Sequence, residues 1–159
     1  MWANLKCVQL ILVQPECVHE FGTGNIDAAS ELIAARAAPL APHDIVLLPE
    51  HSARGSSHRA YAEAVTALAR NLGCHVVGGS QHERASDGAV RNVGLVSDPH
   101  GQVVLEYEKL RPYGNEYRHV EGGDVDKALG ELSIAGRRFL ILICADFWFS
   151  DLFARTHAL

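Results

Sequence analysis

An α/β fold, built on a mixed sheet with helices over one face, is the class this sequence predicts. Three observations carry that expectation: short unbroken apolar runs suited to buried strands, amphipathic stretches of helical period between the first of them, and a turn sequence that later sends the chain back antiparallel.

Leu5 to Val13 is rich in strand formers, and Ile26, Ala29, Ile33 and Ala37 then recur at helical spacing. Asn25 is placed to cap this helix, Asp27 suits its first turn, and Pro39 with Pro42 would end it. Ile45-Val46-Leu47-Leu48-Pro49 predicts a strand buried on both faces, with Glu50 at its carboxyl end. Ser56 or Ser57 caps a second helix striped by Tyr61, Ala64, Val65, Leu68 and Leu72, and Gly73 stops it. Cys74 to Gly79 reads as a third short strand. Ala89 to Ser97 and Gln102 to Tyr107 pair through the turn Asp98-Pro99-His100-Gly101. A polar loop runs from Leu110 to Asp126, too long to be a mere connection. Phe139 to Ile143 predicts another doubly buried strand, ending at Cys144. From Ser150 a helix opens with no Gly, Asn or Pro to close it, which points to a domain that occupies 1–159 and continues further. A half-built sandwich of this kind would leave the inner faces of strands 45–49 and 139–143 to be covered by another copy or by more chain.

The chain has 159 residues, with 14 Lys+Arg against 19 Asp+Glu, a formal charge of -5 and 48% hydrophobic residues. A chain of this length can bury about 70% of its extended surface, so disorder is excluded as the main state. An acidic balance with no basic stripe argues against nucleic acid as a partner. No apolar run approaches the roughly 20 residues that span a bilayer, and the first residues lack a secretory pattern, so a cytoplasmic protein with no membrane partner is expected. Cys7, Cys17, Cys74 and Cys144 form no CxxC pair, which leaves no structural metal site; three of them are expected to serve as small core residues. His51, His58, His75, His82, His100, His119 and His157 show no ligand spacing and read as solvated or loop residues.

Glu50, Lys109 and Cys144 each follow a separate apolar strand, at the sheet edge where open α/β folds bind ligands. Together they supply a base, an oxyanion stabiliser and a nucleophile for acyl transfer. Each alone has a plainer reading: a solvated carboxylate, a surface charge and a core thiol.

At these residues the sequence resembles the nitrilase, or carbon-nitrogen hydrolase, superfamily. Leu48-Pro49-Glu50 is similar to its base motif, Tyr107-Glu108-Lys109-Leu110-Arg111-Pro112 to its lysine motif, and Ile143-Cys144-Ala145-Asp146-Phe147-Trp148-Phe149 to its nucleophile elbow. Gly24-Asn25, Val77-Gly78-Gly79, Asn92, Gly101, Glu116 and Gly122-Gly123-Asp124 agree as landmarks. The resemblance covers the N-terminal part of the family's domain and implies a four-layer α-β-β-α sandwich, of which this chain is the N-terminal half. It implies cysteine-dependent hydrolysis of a non-peptide carbon-nitrogen bond in a small amide, N-carbamoyl or nitrile substrate, with no metal or organic cofactor, in a homo-oligomer. Cys144 would attack with its pKa lowered by a following helix, Glu50 would act as base and then acid, and Lys109 with the Ala145 N–H would hold the oxyanion. Glu116 would hold Lys109 or the substrate, unless it is an exposed loop carboxylate. His51, Arg54, Tyr113, Phe147 and Trp148 are candidate pocket residues. The family position after the cysteine is often aromatic and is Ala145 here. Two other readings stay open: a non-catalytic fragment or assembly module of the same fold, and the glutaminase part of an amidotransferase.

Overall fold

A computed structural model describes residues 7–15, 20–36 and 38–157. Its main sheet has six strands: β1 (Leu10–Leu12), β2 (Ile45–Leu47), β3 (His75–Val77), β4 (Gln81–Arg84), β5 (Val90–Ser97) and β6 (Val103–Glu108). β1, β2 and β3 run parallel, with Leu10 opposite Ile45 and Ile45 opposite His75. The long β5 then reverses direction and pairs antiparallel with β3 and β4 along one edge and with β6 along the other. The mixed sheet expected from the sequence is therefore present. Helices α1 (Gly24–Ala34) and α2 (His58–Leu72) form the crossovers between the parallel strands.

The period of two along each strand divides the core into two layers. Val46, Val76 and Leu95 face α1 and α2, packing with Ile26, Ala29, Ile33, Tyr61, Val65 and Leu68. Their neighbours Ile45, Val77 and Val96 face the other way, where Tyr107, Ile134 and Ile143 meet them. That second layer is closed by a two-stranded sheet of β7 (Gly130–Ile134) and β8 (Arg137–Ile141), which lays Leu132, Phe139 and Ile141 on the main sheet. The inner faces of strands 45–49 and 139–143 thus cover each other in part, and the layering α-β-β matches the first three layers of the expected sandwich. No helix among the described residues is long and apolar enough to cross a membrane.

Several local expectations change. Asn25 does not cap α1; Thr23 stands at the N-cap and Asn25 is buried in the first turn. α1 stops at Ala34, well before Pro39, while α2 starts and ends as expected: Ser57 Oγ accepts from Ala60 N at 3.2 Å and Gly73 adopts the left-handed conformation. β4 was hidden because Gln81-His82-Glu83-Arg84 has no apolar alternation; its pairing with β5 makes it a strand. β7 likewise owes its strand conformation to pairing, here with β8, rather than to a pattern in the sequence. β8 is only half-buried and ends before Cys144, because it belongs to the smaller sheet and shows one side to solvent. Cys74 is in the core, but Cys7 is exposed, and Cys17 lies outside the described residues.

The turn after β3 fixes the sheet edge that matters most. Gly79 has φ +70°, and a Cβ there would sit 1.9 Å from Pro49 O, so only glycine admits this approach. Its carbonyl accepts from Tyr107 Oη at 2.6 Å, and Ser52 Oγ donates to Gly78 O at 2.5 Å. The loop bearing Glu50 is thereby clamped to the end of β3. Gly79→Ala should lose more than about 2 kcal/mol of stability, combining left-handed strain with a backbone clash. A urea midpoint equal to that of the parent would contradict this.

Candidate active site

Glu50 projects from the turn just beyond the carboxyl end of β2, after Leu48-Pro49. Lys109 follows β6 and is held by its backbone from both sides: its N–H donates to Asn92 O and its carbonyl accepts from Gly123 N, each at 2.8 Å. A Cβ on Gly123 would come within 2.5 Å of Glu108 Cβ, which explains the glycine at that landmark. The ammonium of Lys109, 3% exposed, donates to Glu50 Oε1 at 2.7 Å and to Glu116 Oε2 at 2.6 Å. Glu116 enters from a 3-10 turn (Gly114–Arg118) within the long polar loop, and its Oε2 also accepts from Tyr113 N at 3.0 Å. The exposed-carboxylate reading of Glu116 is thus excluded.

Asn92 and His82 complete this network. The buried Asn92 amide donates to Glu50 Oε1 at 2.9 Å and to Glu116 Oε1 at 3.0 Å, while His82 Nε2 lies 2.9 Å from Glu116 Oε1. Burial is the largest influence on Glu116 and raises its pKa, but hydrogen bonds from Lys109, His82 and Tyr113 outweigh it and hold the carboxyl at about 2. Burial likewise depresses Lys109 most strongly, and the two carboxylates reverse that, leaving the ammonium above its ordinary value.

Cys144 opens a 3-10 turn (Cys144–Trp148) and has φ +46°, strained for a non-glycine residue; His51, beside Glu50, has φ +63°. Asp146, fully buried, accepts from Leu110 N at 2.8 Å and Arg111 N at 3.0 Å, tying the cysteine turn to the segment that carries Lys109. Burial pushes Asp146 upward against those two donors. The Cys144 thiol faces an open cleft, yet its pKa is raised: burial contributes most, then the charge of Glu50 and the hydrogen bond to it, opposed by Lys109 and the Ala145 N–H. The thiol is therefore raised rather than lowered as expected: burial and then the Glu50 carboxylate dominate, and the α-helix α3 (Ser150–His157) starts only later.

Glu50 and Cys144 line two adjoining clefts of about 310 Å³ each. The polar one is shared by Lys109, Glu116, His51, Arg54 and Tyr113; the apolar one runs under Leu47, Tyr107 and Ile143. A larger hollow at the amino ends of β2 and β3, beside Pro42, His75 and His100, holds no such group. Phe147 and Trp148 lie outside the clefts and are exposed: Phe147 packs edge-on to Phe153, and Trp148 edge-on to Tyr113. Ala145 is buried behind the cysteine. His51, His82 and His119 are not scattered as their spacing suggested; His82 lies between the other two, with ring centroids at 4.7 and 5.5 Å.

The carbon-nitrogen hydrolase family model matches residues 12–158. The chain belongs to the carbon-nitrogen hydrolase family. Among solved structures it is similar to an amidase from Nesterenkonia sp., at 21% identity and a TM-score of 0.70, over 94% of this chain and 60% of that one. Nit3 of Saccharomyces cerevisiae, a member of branch 10 of the nitrilase superfamily, gives 17% identity and a TM-score of 0.72, over 91% of this chain and 58% of that one. A carbon-nitrogen hydrolase superfamily protein from Xanthomonas campestris gives 24% identity and a TM-score of 0.69, over 89% of this chain and 55% of that one. The chain therefore spans somewhat over half the length of these structures. No curated protein matches it in sequence.

Within this carbon-nitrogen hydrolase chain, the sequence marks Asn92 only as a landmark and Asp146 only as part of the cysteine motif, neither with a role at the site, and it does not single out His82 at all. An amide amid Val90, Val93, Leu95 and Val96 and a carboxylate amid apolar residues after Cys144 were available signals; His82, on an irregularly polar strand, offered none. A group whose carboxyl is depressed on folding stabilises fully above its unfolded pKa and loses that contribution as pH falls through the folded value. For Glu116 the window runs from 4.5 down to about 2. Glu116→Gln should therefore flatten the acid limb of the stability curve across that window, measured by urea unfolding at stepped pH. An unchanged acid limb would contradict the assignment.

Proposed function

We propose that this chain carries the reacting groups of a cysteine-dependent hydrolase acting on a non-peptide carbon-nitrogen bond of a small amide, N-carbamoyl compound or nitrile. The observation that carries the reading is the meeting of Glu50, Lys109 and Cys144 at one cleft, from three separate segments. A thiol that shares its cleft with a carboxylate able to take its proton is a nucleophile with its base at hand.

Glu50 takes the proton from Cys144 as sulfur attacks the substrate carbon. That transfer moves a negative charge from oxygen to sulfur without creating one, so the balance around the Lys109 ammonium is kept. The charge then passes to the substrate oxygen or nitrogen, where Lys109 and the Ala145 N–H stabilise it. Protonated Glu50 gives its proton to the departing amine of an amide or N-carbamoyl substrate, leaving a thioester. A nitrile first gives a thioimidate, whose nitrogen takes that proton and which one water converts to the thioester with release of ammonia. Glu50 then removes a proton from water, which cleaves the thioester and restores the thiol. Glu116 and Asn92 act through Lys109 and Glu50: Glu116 anchors the ammonium and Asn92 joins the two carboxylates. They are positioning residues. The clefts adjoining Cys144 offer one polar and one apolar wall, suited to a substrate whose amide end is polar and whose acyl chain is not.

A raised thiol pKa separates this mechanism from one based on a standing thiolate. Glu50→Gln removes a charge that raises the Cys144 pKa, so the thiol should titrate at lower pH, followed by thiolate absorbance. Turnover of amides, N-carbamoyl amino acids and nitriles should nevertheless fall by about 100-fold or more, because the proton acceptor is gone. Activity that rises together with the thiolate fraction would refute Glu50 as the base. Cys144→Ala should abolish thioester formation, read by mass spectrometry after rapid quench, while leaving the fold intact.

A further inference from the structure

His51, His82 and Glu116 present three donor atoms that all lie within 4.8 Å of one another, and they are the one such group found among the described residues. Two imidazoles and a carboxylate are the donor set that suits zinc and neighbouring divalent ions, with a further position left for water or another ligand. The three residues come from different elements: the turn after β2, strand β4 and the 3-10 turn of the long loop. His82 Nε2 and Glu116 Oε1 are 2.9 Å apart as a hydrogen-bonded pair, so they need separate only to about 3.3 Å to become neighbouring ligands of a tetrahedral ion. The His51 ring stands nearly perpendicular to that of His82, at 82°, and its buried Nδ1 has no hydrogen-bond partner. An orphaned ring nitrogen inside a polar cleft is a cost that a bound cation would remove.

We propose that His51, His82 and Glu116 form a binding site for a zinc-like divalent cation, with both histidines as ligands and Glu116 contributing Oε1. The ion takes the place of the proton between His82 and Glu116, sharing Oε1 with the Asn92 amide that also donates to it, while Glu116 Oε2 keeps its contact with Lys109. His51 Nε2 is 3.9 Å from Glu50 Oε1, so the added charge lies beside that carboxylate and makes it a poorer proton acceptor. Bound cation is therefore inhibitory. Inhibition rests on the hydrolase reading given above; binding does not.

Binding is measured by calorimetric titration of the chain with Zn²⁺ at neutral pH, alongside the visible spectrum with Co²⁺. The parent and Cys144→Ala should bind one equivalent with the same affinity, which excludes the thiol as the anchor. Losing even a supporting partner of a metal ligand weakens binding roughly tenfold or more, so His51→Ala and His82→Ala should each weaken it at least that much. His51→Gln and His82→Gln, checked for folding by circular dichroism, give the same comparison if an alanine variant unfolds. His100→Ala, at a distant turn, should bind as the parent does. Parental affinity in either folded histidine variant, loss of binding in Cys144→Ala, or no binding by the parent overturns the proposal. Binding without inhibition in a catalytically active preparation overturns only the regulatory part, whereas absence of turnover with intact binding counts against the hydrolase reading alone.

Discussion

A buried ammonium held between two carboxylates is the interaction around which this structure is organised. Lys109 is almost wholly removed from water, and an ammonium in that position requires partners of opposite charge with good geometry. Glu50 and Glu116 provide them at 2.7 and 2.6 Å. Removing the ammonium would leave two neighbouring carboxylates without compensation, and removing either carboxylate would cost the buried ammonium a hydrogen-bond partner, so the three groups are fixed relative to one another. That requirement in turn sets the positions of the ends of β2 and β6 and of the long polar loop.

The surrounding scaffold holds those ends by backbone contacts more than by side-chain packing. Gly79 lets the turn after β3 press on the Pro49 carbonyl, and Gly123 lets the long loop close on Lys109. Asp146 fastens the cysteine turn to the same segment by accepting two backbone donors. Two non-glycine residues with positive φ, His51 and Cys144, stand on either side of this arrangement. Such strain persists only where neighbouring structure over-determines it, and here it accompanies the clamped turns.

The electrostatics of the cleft distinguish its members. Glu116 is held well below the ordinary carboxylate range by three donors and remains an anion across neutral pH. The Cys144 thiol is pushed the other way by burial and by Glu50, and so retains its proton. One carboxylate serves the cation permanently, while the other faces both the cation and a thiol. Two chemically identical side chains acquire different roles from their surroundings.

The order of strands and helices was legible from the sequence because it depends on local periodicity: α2, from the Ser57 cap to the Gly73 stop, and the apolar run of β2 announce themselves. The resemblance to the carbon-nitrogen hydrolases was legible for a related reason, since Glu50, Lys109 and Cys144, which share one cleft, each follow a recognisable strand. β4 and β7 were not, because their conformation comes from partners distant in the chain, as His82 paired opposite Asn92 illustrates. Nor could spacing reveal that His51, His82 and Glu116 converge, or that the Cys144 thiol would be raised. A chain's own sequence determines which residues favour a strand, a cap or a turn. Only tertiary structure decides which charges become neighbours and how much water remains between them, and these set the chemistry of the cleft.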